Sequence, residues 1–312
     1  MEVFDSLTKV KKDKNTVVTI GTFDGIHLGH KKIIQEVLRK TALYGGRNFV
    51  VTFDPHPRKV VSKGNSIKLL NTLDEKKEIL KESGIQNMLV IKFTREFSQL
   101  SSEEFFTKYI INGLGIKEVV IGYDHHFGKG RGGDKNTLEE LGKEFDFKVT
   151  SVDAVSIDGI TVSSTKIRNA LDEGNIKIAN KFLGKYYSFS GEVIKGDQRG
   201  RQLGFPTANI RPNDEDKLLP LIGIYAVELW FEDNKYYGLM SIGRRPTFYN
   251  NGSLTTEVYI LNFNEDIYGK TVTVNIVERI RGEEKYSSAD ELIEQMKKDK
   301  EIGLEIFGKK VR

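Results

Sequence analysis

With 312 residues the chain is long for one domain and comfortable for two, and an apolar content of 38% is enough to bury real cores. Its 48 basic and 44 acidic residues are spread along the chain, leaving a net charge of +4 and no basic stripe of the kind that marks a nucleic-acid surface. The absence of cysteine excludes disulfides, thiolate catalysis and thiolate metal sites, and no window approaches the ~18 uninterrupted apolar residues of a membrane helix.

The opening stretch MEVFDSLTKVKKDKN has no apolar segment after a basic one, so no secretory signal is expected and a cytoplasmic location is. TVVTI (Thr16 to Ile20) is a short β-branched run. His30 to Tyr44 then repeats apolar residues at Ile33, Ile34, Val37, Leu38 and Ala42, which is helical spacing. NFVVTF, MLVIKF and EVVIGY repeat the buried-strand pattern, separated by helical stretches such as Leu73 to Ser83 and Ser102 to Ile111. Such alternation predicts an α/β unit: a parallel sheet with helices on both faces, binding its ligands beyond the carboxyl ends of the strands. GITVSST leads into a predicted helix from Ser164 to Phe182, and the pattern changes after Gly184. From there YSFSGEVI, GIYAVELWF, KYYGLMSIG, TTEVYILNF and TVTVNIVERI follow one another without helices, and the apolar run Leu218 to Phe231 reads as strand. A small antiparallel β-barrel is expected, because closure removes exposed edges, with a terminal helix over Ser287 to Phe307. The expected division is 1–184 and 185–312. Nothing in the pattern specifies an oligomer.

All the histidines, His27, His30, His56, His125 and His126, fall just after predicted strands of the first half, so they are expected to line one crevice. In GTFDGIHLGH, His27 and His30 project to the same side of a helix start, where free N–H groups and the dipole favour phosphate. Gly25 and Gly29 let backbone approach a phosphate closely, and Gly21 allows the tight exit from the strand. The competing reading is a zinc site in which His56 joins His27 and His30. GKGRGG (Gly128 to Gly133) lacks the Lys-Ser/Thr ending of a phosphate loop and reads as a mobile loop. Further on, SSTKIRNAL opens a helix with hydroxyl caps and cations. Taken alone it is an N-cap, but beside the first motif it can grip the other end of a polyphosphate.

GTFDGIHLGH resembles the GxFDGxHxGH motif of the nucleotidyltransferases, whose second signature is matched by Ser163, Ser164, Thr165 and Arg168. TFDPHP (Thr52 to Pro57) narrows the resemblance to the bacterial bifunctional riboflavin kinase and FAD synthetase family. It implies a Rossmann-like first domain that transfers AMP from ATP to FMN, with His27 and His30 catalytic and Gly21, Phe23, Asp24, Gly25 and Gly29 on the nucleotide. It also implies flavin near His56, Pro57, Asp124 and Phe127. His125 and His126 depart from the Phe-x-Phe pattern of the family.

GDQRGRQLGFPTANI (Gly196 to Ile210) is similar to the riboflavin kinase loop ending in Pro-Thr-Ala-Asn. The Thr207 hydroxyl and Asn209 amide oxygen are suited to Mg2+, a hard cation that keeps waters and substrate phosphates. Gly196, Arg201 and Gly204 are assigned to the nucleotide. By resemblance Glu257 in TTEVYILNF takes the proton from the sugar-chain hydroxyl, while DIYGK and RIRGEEKYSS, with Arg281 and Glu284 at the flavin, match the same family. The expected substrates and products are riboflavin, FMN, FAD and ATP, with neither nucleic acid nor membrane as partner. Two alternatives stand beside this reading: a nucleotidyltransferase acting on another phosphate with a flavin-binding barrel, and a flavin-binding regulator without chemistry.

Overall fold

The computed structural model describes residues 1–62, 67–196, 200, 204–244 and 254–308, and the chain divides into two compact units, Met1–Ser163 and Ser164–Arg312.

The first unit is built on a six-stranded sheet in the order β1-β4-β3-β2-β5-β6. Its strands are β1 Glu2–Phe4, β2 Thr16–Ile20, β3 Arg47–Asp54, β4 Asn87–Lys92, β5 Glu118–Gly122 and β6 Lys148–Val152, all parallel to their neighbours. Helices α1 Leu28–Tyr44, α2 Pro57–Val61, α3 Leu73–Glu82, α4 Ser102–Phe105 and α5 Lys135–Phe145 connect the strands, α4 running on into a π-helical stretch, Phe106–Leu114. Strand β2 is buried along its whole length, as a central parallel strand must be. The two-residue period of the strands then feeds two cores. Val18, Ile20, Phe49, Val51 and Ile121 pack with Phe106, Ile110, Leu114, Leu138 and Leu141 on one face. Val17, Val50, Met88 and Val120 pack with Ile34, Val37 and Leu80 on the other. At the amino edge of the sheet the buried Glu118 carboxylate binds the Lys40 ammonium at 2.6 Å and accepts the hydroxyls of Tyr44 and Thr150, tying α1 to β5 and β6. From β2 the chain works outward to β3 and β4, then crosses back to β5. The strand order therefore reverses between β2 and β5, which puts the ligand crevice of this topology at their carboxyl ends. A short hairpin, β7 Ser156–Ile157 with β8 Ile160–Thr161, closes the unit.

The second unit opens with α6 Ser164–Asp172 and α7 Ile176–Leu183. The single helix expected over this stretch is broken because Gly174 takes a left-handed φ of 75° and the Asn175 side chain caps α7 by accepting the Ile178 N–H. Asn180 fastens α7 to the strands that follow: its amide donates to the carbonyls of Ile276 and Val277 and accepts from the Tyr187 N–H. These two helices are thus counted with the strands after them, ahead of the change in sequence pattern at Gly184. Strands β9 Tyr187–Ile194, β10 Thr207–Pro212, β11 Gly223–Phe231, β12 Asn234–Arg244, β13 Leu254–Ile260 and β14 Thr271–Arg281 close into an antiparallel barrel in the order β10-β13-β12-β11-β14-β9. Phe189, Val193, Val258, Ile260, Val272, Val274 and Ile276 alternate inward along their strands and are buried. The apolar run from Leu218 enters the strand only at Gly223; Leu218 itself lies in a loop whose carbonyl accepts the Tyr187 hydroxyl at 2.6 Å. Helix α8 Ala289–Phe307 ends the unit, its Ile306 and Phe307 packing with Tyr237 and Tyr259.

Candidate active sites

Strand β2 ends in a turn that few sequences tolerate. Phe23 and Ile26 have φ of 47° and 35°, Gly25 has 93°, and a non-glycine residue in that region costs about 1–2 kcal/mol. Such strain persists only where the surroundings over-determine it. Here Phe23 and Ile26 are plugged into the core, and the buried Asp24 carboxylate accepts the Asn71 N–H at 2.9 Å. The turn delivers His27 as the N-cap of α1, with its Nδ1 accepting the His30 N–H at 3.4 Å. Three residues on, the His30 ring stacks on that of His27, centroids 3.8 Å apart and planes within 17°. A Cβ on Gly29 would meet the His27 ring at 3.1 Å, so glycine there keeps the pair in place. Burial pushes His27 down to about 4 against the pull of Asp124 and Asp24. Burial also holds His30 well below the ordinary histidine value, helped by His27 and Lys76. Both imidazoles are therefore neutral at neutral pH. With Nδ1 of His27 occupied as an acceptor, its Nε2 carries the proton and is a donor.

The loop leaving β5 brings Asp124 near the start of α1. Asp124 is exposed within electrostatic reach of His27. His125 stacks on Phe127 at 5.6 Å, and burial, with His126 and Arg131 adding to it, lowers its pKa to about 4. Phe127 packs against Phe106 at 5.7 Å and exchanges backbone hydrogen bonds with Gly133. That pairing, and the Lys129 N–H to Leu100 carbonyl bond, tie down GKGRGG, whose middle kinks through Gly130 and Arg131 at left-handed φ of 60° and 61°. His56, after β3, caps α2: its Nδ1 accepts the Arg58 N–H at 3.2 Å, with Pro57 first in the helix. The zinc reading fails on this geometry. Nδ1 of both His27 and His56 already serves a backbone amide, the stacked rings turn faces rather than lone pairs toward each other, and no group of three His, Cys, Asp or Glu side chains among the described residues is placed to hold a metal. Ser163 ends the first unit, and Ser164, Thr165 and Arg168 lie in the first turns of α6 in the second.

In the barrel, β10 pairs with β13 so that Asn209 faces Glu257 and Thr207 faces Tyr259. Residues two apart share a face, and the Thr207 hydroxyl donates to Glu257 Oε2 at 3.0 Å, which gathers Thr207, Asn209 and Glu257 on the side opposite buried Val258. Gly196 lies against the Asn209 amide so closely that a Cβ would sit 2.2 Å from its Nδ2. Gly204 uses its freedom at φ 84°. Arg201 lies outside the described residues. Arg281 is committed elsewhere: Nε and Nη2 grip the buried Asp299 of α8 at 2.8 and 2.7 Å, and Nη1 donates to the Gly282 carbonyl. Glu284 stands 4.0 Å from Arg281 and accepts the Tyr286 hydroxyl.

Residues 9–166 match the family model of FAD synthetase and residues 183–307 that of riboflavin kinase. A Listeria monocytogenes bifunctional riboflavin kinase/FMN adenylyltransferase is 40% identical over 95% of this chain and 94% of its own. The chain belongs to that bifunctional family. The Bacillus subtilis and Escherichia coli riboflavin kinase/FMN adenylyltransferases are 35% and 34% identical, over 95% and 94% of this chain and 94% and 93% of theirs. A solved structure from Streptococcus pneumoniae, described as a macrolide-efflux protein, superposes with a TM-score of 0.87 at 33% identity, covering 96% of this chain and 97% of that one. No described helix of the present chain is long and apolar enough to cross a membrane. As a riboflavin kinase/FMN adenylyltransferase the protein converts riboflavin to FMN and FMN to FAD with ATP.

Two features of this family member were not singled out from its sequence. Asp299 fixes Arg281, and its only signal was an acidic residue in the middle of the terminal helix. Lys76 lies buried under the strained turn, donating to the Thr22 carbonyl at 2.6 Å. Its signal was a cation in the apolar stripe Leu73, Lys76, Leu80 of α3.

Proposed function

We propose that each half-reaction is carried out by its own residue set, FMN adenylylation by residues 1–184 and riboflavin phosphorylation by 185–312. The stacked neutral imidazoles at the start of α1, at the sheet's switch point, carry the first assignment. An FMN phosphate oxygen attacks the α-phosphorus of ATP, the bond to the pyrophosphate oxygen breaks, and negative charge grows on the equatorial oxygens. His27, His30 and the first N–H groups of α1 donate to that charge without having to shed a proton. Gly21, Phe23, Asp24, Gly25 and Gly29 shape the turn around the nucleotide, Ser163, Ser164, Thr165 and Arg168 bind its phosphates, and His56, Pro57, Asp124 and Phe127 frame the flavin. His125, desolvated against Phe127, fills the aromatic position of the family pattern as a neutral ring.

In the second set, Glu257 takes the proton of the riboflavin hydroxyl as its oxygen attacks the γ-phosphorus and ADP leaves, a contribution typically worth about 10²- to 10⁴-fold. The Thr207 hydrogen bond holds the Glu257 carboxylate in position to do so. The donors nearby are a hydroxyl, an amide and a carboxylate, and Asn209 sits in a cradle that a Cβ on Gly196 would fill, so the set fits a small hard cation. Thr207 and Asn209 would hold Mg2+, which would neutralise charge on the ATP phosphates when bound. Gly196, Arg201 and Gly204 are assigned to the nucleotide, and Arg281 and Glu284 to the flavin side, Arg281 acting from its fixed place on Asp299. Small molecules are the partners, with no nucleic acid and no membrane, and a cytoplasmic location accords with dependence on ATP. Incubation with riboflavin, ATP and Mg2+ should give FMN with ADP, then FAD with pyrophosphate, and EDTA should stop both steps. Turnover that survives complete metal removal would refute the magnesium assignment.

A further inference from the structure

Beneath the Gly21–His30 turn the first unit buries a cation that neither half-reaction, as described, uses. Lys76 is 6% exposed, in the apolar stripe of α3. Burial lowers its pKa against the pull of Asp24 and Asp54, so keeping an ammonium there works against stability unless it is held. It is held. Nζ donates to the Thr22 carbonyl at 2.6 Å and lies 3.4 Å from the Thr52 hydroxyl, which bonds the same carbonyl at 3.3 Å. That carbonyl belongs to the residue directly before Phe23, where the left-handed stretch begins. The amino end of α3 completes the brace, through the Asn71 N–H on Asp24 and the Thr72–Glu75 capping box. A neutral side chain could fill this space and a hydroxyl could hold the carbonyl. A charge adds something further: a positive field, little screened, behind a surface that receives anions.

We propose that Lys76 is a positioning residue for adenylyl transfer, clamping the Thr22 carbonyl so that the turn presents His27, His30 and the first amides of α1 to the polyphosphate, and placing a buried positive charge behind them. The inference rests on the assignment of this turn to the phosphates. In Lys76→Met, which keeps the volume and removes the charge, kcat for FAD formation from supplied FMN and ATP should fall on the order of 10²-fold per folded molecule, with a smaller change in KM. FMN formation by the same molecules should be unchanged. Lys76→Arg should recover at least about tenfold of the loss, because it restores the charge. A Met variant within twofold of the parent overturns the proposal, and so does an Arg variant no better than Met at equal folded fraction, which is the outcome for a packing role. Should Lys76→Met fail to fold, Thr52→Val, which leaves the cation but removes its hydroxyl partner, should lower kcat about 3- to 10-fold; an unchanged kcat there overturns the proposal. His30→Ala measured in parallel separates the two levels. If it retains FAD formation, the turn is not the phosphate site and the proposal falls with it. If it loses FAD formation while Lys76→Met keeps it, Lys76 alone is refuted.

Discussion

Replacing Gly196 by alanine would put a methyl carbon 2.2 Å from Nδ2 and 2.5 Å from Cγ of Asn209. Ordinary contact begins near 3.4 Å, so the amide must retreat by about 1.2 Å. The strand cannot supply that movement, because β10 is paired with β9 on one side and with β13 on the other at this residue. The side chain has to rotate, moving the whole amide from its present place on the strand face it shares with Thr207 and Glu257. A displacement of about 1 Å in a positioning group can cost on the order of 10² in rate, and that is the expected fall in FMN formation from riboflavin and ATP. FAD formation from supplied FMN should be unaffected. Gly196 itself does not use a left-handed φ, so the effect is steric rather than conformational. Chromatographic rates of the two steps in one preparation provide the assay. If Gly196→Ala phosphorylates riboflavin within twofold of the parent, the position of the Asn209 amide does not matter to the reaction and its assignment to Mg2+ is wrong.

Asp299→Ala should destabilise the second unit by about 3–5 kcal/mol, because the Arg281 side chain, 15% exposed, would lose its buried carboxylate. Thermal unfolding should shift down by roughly 6–20 °C, and a shift under 2 °C would show that the pair does not anchor α8. His27 gives a pH dependence of definite sign. Its folded value, about 4, lies below the ordinary 6.5, so the unfolded chain takes up the proton first. The contribution is complete above pH 6.5 and is lost as pH falls toward 4, up to roughly 3 kcal/mol across the window. Denaturant midpoints of the first unit between pH 7 and 4.5 should show this slope, reduced in His27→Gln; equal slopes in the two proteins would contradict it.

The parallel sheet could be read from sequence because β2 to β5 are continuous apolar runs between amphipathic helices, a pattern with few structural solutions. Strand β1 was not, since EVF is three residues long and is defined by pairing with β4, far away in the chain. Strand β10 was hidden inside a motif whose small and polar residues resemble loop, and only closure of the barrel makes TANIRP extended. The break between α6 and α7 turns on Gly174, where apolar periodicity continues across a residue that leaves the helix. The histidine pair was legible because spacing of three at a helix start sets the direction of both rings. Their neutral state was not, because it comes from tertiary burial, to which Lys76 adds at His30. Likewise the Arg281–Asp299 pair depends on where α8 docks, which local pattern does not encode.

Division of labour between two separate residue sets is tested most directly by paired variants in one assay with riboflavin and ATP. His30→Ala should accumulate FMN at the parent rate and lose FAD formation, whereas Glu257→Gln should make FMN from riboflavin about 10²- to 10⁴-fold more slowly yet convert supplied FMN to FAD at the parent rate. Loss of both products in either variant, with the protein folded, would contradict it.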